Sequence, residues 1–174
     1  MRDLTTLAAH DGEGTLRVVV ETPRGSGLKI KYEPELGAFV ASRRLALGVT
    51  YPYDWGFVPG TRAADGDPLD AMVLHDLATY PGVVFACHAV GVLRLTQSND
   101  GRPEQDNDRL IVIPTDSKLP RDARHFDEQT RDELAQFFLL AVLETGKRVQ
   151  IRGWQGPEDA ERLVQQAERL ARGG

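Results

Sequence analysis

Apolar residues crowd Leu16-Arg-Val-Val-Val-Glu21 and alternate with polar ones at a period of two through Leu28-Lys-Ile-Lys-Tyr-Glu33, and the two patterns predict two strands. In the second, Lys29, Lys31 and Glu33 share one face, and Ile30 and Tyr32 share the other. Glu35-Leu-Gly37 reads as a turn into a strand at Ala38-Phe-Val-Ala41. The aromatic-rich segment Tyr51 to Val58, interrupted by Pro52 and Gly56, is closed by Pro59-Gly60. Further strands are expected at Ala71-Met-Val-Leu74, along the run Val83 to Leu95, and at Arg109-Leu-Ile-Val-Ile-Pro114. A loop rich in Gly, Asn and Asp runs from Gln97 to Asp108.

The period changes to that of a helix only near the C-terminus. Thr130-x-x-Glu133 has the spacing of a capping box, and Leu134, Phe137, Phe138 and Ala141 continue to a stop at Gly146. The breadth of that apolar face, which takes in Leu139, Leu140, Val142 and Leu143, suggests a second buried surface. A second helix opens at Pro157, carries the stripe Ala160, Leu163, Val164, Ala167 and Leu170, and ends before Gly173. Strands followed by helices predict an α+β fold, a closed or partly closed antiparallel barrel with helices packed on it. Residues 1–14 are polar and are expected as a loose N-terminal arm, with 15–174 as one domain.

Composition narrows the function classes. The 174 residues are 41% hydrophobic and 27% charged, enough to bury a core without disulfides. Cys87 is the sole cysteine and sits in an apolar run, which favours a reducing compartment. The first residues lack the pattern of a signal peptide, and no apolar run approaches the roughly 20 residues of a membrane span. We therefore expect a cytoplasmic protein with no membrane partner. The net charge of −5 argues against nucleic acid as a partner, and an anionic substrate would need metal ions or a local cluster of Lys and Arg. His10, His75, His88 and His125 have no metal-binding spacing.

The densest chemistry is Asp65-Gly-Asp67-Pro-Leu-Asp70, three carboxylates in six residues leading straight into an apolar strand. Such acids repel one another unless a hard cation neutralises them, and oxygen donors suit Mg²⁺ and Mn²⁺. A solvated acidic turn is the alternative, since Asp and Gly are common in turns. A calcium loop needs Gly at its sixth place and Glu at its twelfth, where this chain has Asp70 and Asp76. An Asp-x-Asp phosphatase would end an apolar strand there, which Thr61-Arg-Ala-Ala64 is not.

Together, Glu21, Lys31-Tyr-Glu33, Arg43, Tyr51-Pro52, Gly56 and Asp65-Gly-Asp-Pro-Leu-Asp70 resemble the family I soluble inorganic pyrophosphatases in order and spacing. The resemblance runs from about Leu16 to Pro114 and continues more weakly through the helices. It implies an OB-like five-stranded antiparallel β-barrel with flanking C-terminal helices, a site at the barrel mouth, and Mg²⁺-dependent hydrolysis of pyrophosphate, with Mn²⁺ or another divalent metal as a substitute. It also implies a homo-oligomer. By position, Asp65, Asp67 and Asp70 match metal ligands, and Asp67 matches the base acting on a water. Lys31, Arg43 and Tyr51 match phosphate-binding groups, and Glu21 and Glu33 match carboxylates ringing the site.

The chain departs from that pattern at definite places. Gln97 and Asn107 stand where the family has aspartates, with Asp106 and Asp108 flanking Asn107, and we take Asp108 as the remaining carboxylate ligand. Arg109 replaces a lysine and is assigned to the substrate, and Trp55 replaces a tyrosine. Ala141 and Val142 stand where a phosphate-binding Tyr-Lys pair is usual, and nearby Lys147 and Arg148 lie beyond Gly146 and are not assigned to replace it. Two functions follow, a divergent pyrophosphatase or a non-catalytic phosphate- or pyrophosphate-binding module on the same fold. The retained Lys31, Glu33, Arg43, Tyr51 and signature aspartates favour the enzyme.

Overall fold

The run of β-branched residues in Leu16–Thr22 makes the first strand, β1, of a five-stranded ring that four further strands complete. A computed structural model describes residues 3–99 and 101–173. Met1, Arg2, Asp100 and Gly174 lie outside the described residues, and with them the first two positions of the expected arm and one position of the Gln97–Asp108 loop. The chain forms β2 (Leu28–Glu33), β3 (Ala38–Arg44), β4 (Asp54–Val58), β5 (Leu69–Val73), β6 (Val84–Asn99), β7 (Gln105–Asp106), β8 (Arg109–Pro114), α1 (Glu128–Leu140), β9 (Lys147–Gln155) and α2 (Pro157–Arg172). The pairings β1–β4, β4–β5, β5–β8, β8–β6 and β6–β1 close the expected five-stranded barrel. One of the five, β5–β8, is parallel, where an antiparallel barrel was expected.

Strand β6 is 16 residues long, and besides its pairing with β8 it carries β1 and then β9 in succession. Its first half closes the ring against β1, and its second half carries β9 from Val92↔Gln155 to Asn99↔Lys147. β9 was not anticipated from the sequence. Its charged and apolar residues alternate, and a bulge opposite Arg94/Leu95, with Gly153 at φ 135°, breaks the period. The β2–β3 hairpin is a separate two-stranded sheet. Buried Thr22 ties it to the ring, its hydroxyl bonding both the N–H and the C=O of Ile30 at 2.9 Å.

One cluster takes residues from all five ring strands and so fills the interior, among them Val18, Val58, Ala71, Val92 and Val112. The Ala160, Val164 and Ala167 stripe of α2 completes it. A second cluster lies on the opposite face of β4, β5, β6 and β8, where α1 packs Leu134, Phe137 and Phe138 against Trp55, Met72 and Ile111. Helix α1 begins earlier than the Thr130 capping box implies: Asp127 is the cap, and its carboxylate accepts from both the N–H and the hydroxyl of Thr130. It also ends earlier, at Leu140, with the chain turning through residues 141–146 before Gly146 at φ 73°.

The segment expected as a loose arm is tied down where it is described. Arg17 donates to Ala9, Gly60 donates to Thr5, and Ala9 is buried. Among the described residues no helix is long and apolar enough to cross a membrane.

Gly56 lies in β4 opposite Val20, and a Cβ there would stand 1.9 Å from the Val19 carbonyl oxygen. Because that atom is backbone in a closed ring, it cannot step aside. Gly56→Ala is expected to lower the urea midpoint by the equivalent of about 3 kcal/mol or more, and an unchanged midpoint would show that β1 and β4 can separate.

Candidate active site

The acidic loop is built to project its side chains. At its base the Thr61 hydroxyl donates to the Val58 carbonyl (2.6 Å) and accepts from the Leu69 N–H (2.9 Å), both buried, which fixes where the loop leaves β4 and enters β5. Asp65 accepts from the Asp67 N–H at 3.1 Å, and Gly66 turns the chain with φ 91°. Asp70 then follows on β5, alternating with the inward Leu69 and Ala71 and so facing outward.

A cleft of about 250 Å³ forms on this outward face, between the ring, the β2–β3 hairpin and the end of α1. It is therefore beside the ring rather than over the interior cluster, although the resemblance implies the barrel mouth. Asp65, Asp67 and Asp70 line it together with Lys31, Arg43, Tyr51 and Arg109, and with Glu21 at its base. Sequence separations of up to 88 residues, from Glu21 to Arg109, are thus brought to one place.

Two of the three loop-and-strand acids are matched to cations. Lys31 Nζ lies 3.0 Å from Asp67 Oδ2, and Arg109 pairs with Asp70. Arg109 is itself clamped, its guanidinium lying 5.2 Å from the Trp55 ring centre and 5.9 Å from that of Phe138. Arg43 donates to the Ala141 carbonyl at the C-terminus of α1, where the helix leaves its carbonyls without intrahelical partners. Buried Glu21 accepts from the Tyr32 N–H at 2.7 Å, so it straps β2 to the ring as well as facing the cleft.

These placements shift the acids and bases. Burial pushes the Glu21 carboxyl up to about 7, against the Tyr32 hydrogen bond, and nearby Asp70 pushes it in the same direction. Burial also raises Asp70, although Arg109 and Lys29 pull it back. Burial would lower Lys31, but the bond to Asp67 and that residue's charge outweigh it, so the net shift is upward. Burial raises the Tyr51 hydroxyl, which stays protonated and able to donate.

The remaining wall differs from expectation. Asn107 and Arg109 face the cleft, and by strand alternation Asp108 faces away. Its carboxylate is taken by Arg94 Nε at 2.8 Å and by the Leu95 N–H, so Asp108 is not placed as a metal ligand. Gln97 also faces the cleft, with its amide oxygen accepting from Asn107 at 3.0 Å. Glu33, at the hairpin end of β2, does not line the cleft. Lys29, on the same face as Lys31, does line it, and its alternation with Ile30 was the available signal. Lys147 and Val149 reach it from β9; the sequence sets Lys147 aside as lying beyond Gly146, and Val149 could be found only with that strand.

The donors available to a metal are oxygens throughout, from Asp65, Asp67, Asp70, Gln97 and Asn107, a set that suits a hard divalent cation. Among the described residues no three His, Cys, Asp or Glu side chains converge closely enough to hold one as they stand. Two of the acids are instead paired with Lys31 and Arg109.

Two expected outcomes follow from this geometry. Glu21 is neutral when unfolded below 4.5 and when folded below about 7, so its burial costs nothing in acid and destabilises progressively as the pH rises through that interval. Glu21→Gln should stabilise the chelator-treated protein on the order of 2 kcal/mol at pH 8.5, with the gain shrinking toward pH 4.5; urea midpoints across that range check it, and a pH-independent effect contradicts the assignment. Separately, Gln97→Asp should tighten Mn²⁺ binding about tenfold, read by electron paramagnetic resonance titration. Unchanged affinity would mean that the amide pair does not contribute to the metal.

Comparison with known proteins agrees with the arrangement. A family model described as inorganic pyrophosphatase matches residues 18–172. An inorganic pyrophosphatase from Streptomyces coelicolor is 38% identical over 154 residues, covering 86% of this chain and 91% of the relative. One from Nostoc is 35% identical over 170 residues, covering 95% and 96%. The crystal structure of inorganic pyrophosphatase from Thermus thermophilus superimposes with a TM-score of 0.88 at 31% identity, covering 98% of this chain and 99% of that one. With the ring, the acidic loop and the cationic cleft in the same chain, these matches show that the protein belongs to the inorganic pyrophosphatase family.

Proposed function

We propose that the protein hydrolyses pyrophosphate to two phosphates with Mg²⁺ as its cation, Mn²⁺ being the nearest substitute. The observation that carries this reading is the meeting in one cleft of the Asp65–Asp70 acids with Lys31, Arg43 and Arg109 from three different strands, in a member of the inorganic pyrophosphatase family. An acid-only cleft would repel a polyphosphate, and a cation-only cleft would have no base.

Asp65, Asp67 and Asp70 would hold the divalent cation, which when bound makes water a better nucleophile near neutral pH and offsets phosphate charge. Asp67 accepts a proton from the attacking water. A bond forms from that oxygen to one phosphorus as the bridging P–O bond breaks, and the departing phosphate leaves with the electron pair. Lys31, Arg43, Arg109 and the protonated Tyr51 bind the phosphate oxygens and stabilise the charge that develops on them. Lys31 links the two tasks: it pairs with Asp67 at 3.0 Å, and a phosphate oxygen competing for that ammonium frees the carboxylate to act as base.

The same reading places the protein in the cytoplasm, in keeping with its buried free Cys87, as a homo-oligomer. Leu140 and Leu143, exposed at the end of α1, support a contact between subunits.

Asp67→Asn should reduce phosphate release from Mg-pyrophosphate by about 10²–10⁴-fold, while thermal unfolding moves little because Asp67 is 61% exposed. A wild type without turnover across Mg²⁺, Mn²⁺, Zn²⁺ and Co²⁺ would instead make the chain a binding module, a reading that the neutral Gln97–Asn107 pair favours.

A further inference from the structure

The charges lining the cleft do not mirror those of the chain. Five cationic side chains reach it, Lys29, Lys31, Arg43, Arg109 and Lys147. They face four carboxylates, Glu21, Asp65, Asp67 and Asp70. The cleft therefore carries a formal excess of one positive charge in a protein whose net charge is −5.

How the charges are paired sharpens the contrast. Asp67 and Asp70 are committed to Lys31 and Arg109, and Glu21 is buried with its carboxylate on the Tyr32 N–H. Among the described residues, no carboxylate lies within ion-pair distance of Lys29 or Lys147; Asp70 and Glu21 attract Lys29 only from further off, and both are already engaged elsewhere. Lys29 is half-buried on β2 next to Lys31, and Lys147 enters exposed from β9 on the other side. Trp55 Nε1 and Arg109 Nε add two buried N–H groups that have no acceptor. On the facing wall, Gln97 and Asn107 bring no charge and satisfy each other. Fixed side-chain cations thus outnumber the fixed acids at the place where a polyanion must sit.

We propose that this cleft binds pyrophosphate in the absence of divalent metal, with Lys29 and Lys147 as the added anion-binding residues. The proposal rests on the cleft's being the pyrophosphate site. It gives the two lysines the phosphate contacts for which Ala141 and Val142 have no functional group.

The test is calorimetric titration of the full-length protein with sodium pyrophosphate in excess EDTA, run beside phosphate release with Mg²⁺. We expect saturable binding of one pyrophosphate per chain. Lys29→Met and Lys147→Met should each weaken it about tenfold, whereas Lys29→Arg should retain it. Lys147 is exposed, so its variant tests the idea even if Lys29→Met does not fold. Phosphate release by a wild type that shows no metal-free binding would overturn this proposal and leave the hydrolytic reading standing. Metal-free binding without release would support the proposal and sink that reading. Binding undiminished in both folded Met variants would remove the lysines from the site, and neither binding nor release would end both claims.

Discussion

The parallel pairing of β5 with β8 is the constraint on which the site depends. It sets Ala71 opposite Leu110, so the residues just before them, Asp70 and Arg109, emerge side by side on the outward face. A carboxylate partly withdrawn from water beside an apolar core persists only with a partner, and here register supplies one. Trp55 on β4 and Phe138 on α1 then hold the guanidinium over their ring faces. The same contacts pack α1 against the barrel, so the helix and the ion pair position each other.

The hairpin is the second half of the device. β2 and β3 share no backbone ladder with the ring. They are fastened by two buried polar side chains at the end of β1, Glu21 on the Tyr32 N–H and Thr22 on Ile30. Register along β1 therefore decides where Lys29 and Lys31 meet the acidic loop. A buried carboxylate that is pushed up to about 7 is an expensive fastener. It is also a sensitive one, because its charge responds to what fills the cleft beside it.

Much of this was legible in the sequence, and the exceptions share a cause. Periodicity located β2 and α2, each with one apolar face, whereas β1, β5 and β8 were found as near-continuous apolar runs because they are buried on both faces. It failed at β9, where Lys147, Arg148, Gln150 and Arg152 make the strand look like surface chain and Gly153 with its bulge breaks the alternation. Missing β9 hid Val149 from the site and left Lys147 unassigned beyond Gly146. Thr130 and Glu133 suggested a capping box, but Asp127 lay three residues earlier and its charged oxygens captured Thr130 instead. Asp108 was assigned by nearness to Asn107, when alternation along β8 already set it on the same face as the inward Leu110 and Val112. The parallel sense of β5–β8 depends on a long crossover, which local patterning does not report.

The departures from the family pattern form a connected change in charge. Gln97 and Asn107 remove two potential negative charges from one wall, and Ala141 and Val142 remove a cationic contact from the wall that adjoins it. Two fewer acids weaken the hold on a divalent cation, but they also weaken the repulsion that a bound polyanion would feel there. Lys29 adds a cation from the hairpin and Lys147 supplies one from β9, and neither is held in an ion pair among the described residues, although Asp70 and Glu21 attract Lys29 across the cleft. On the proposed reading, part of the task of neutralising phosphate falls to the chain itself rather than to exchangeable ions. A side-chain ammonium can cancel charge and donate hydrogen bonds, but it cannot acidify water as a metal does. The two kinds of cation are therefore interchangeable for holding a phosphate and unequal for cleaving it, and this is why binding and turnover must be measured separately in this protein.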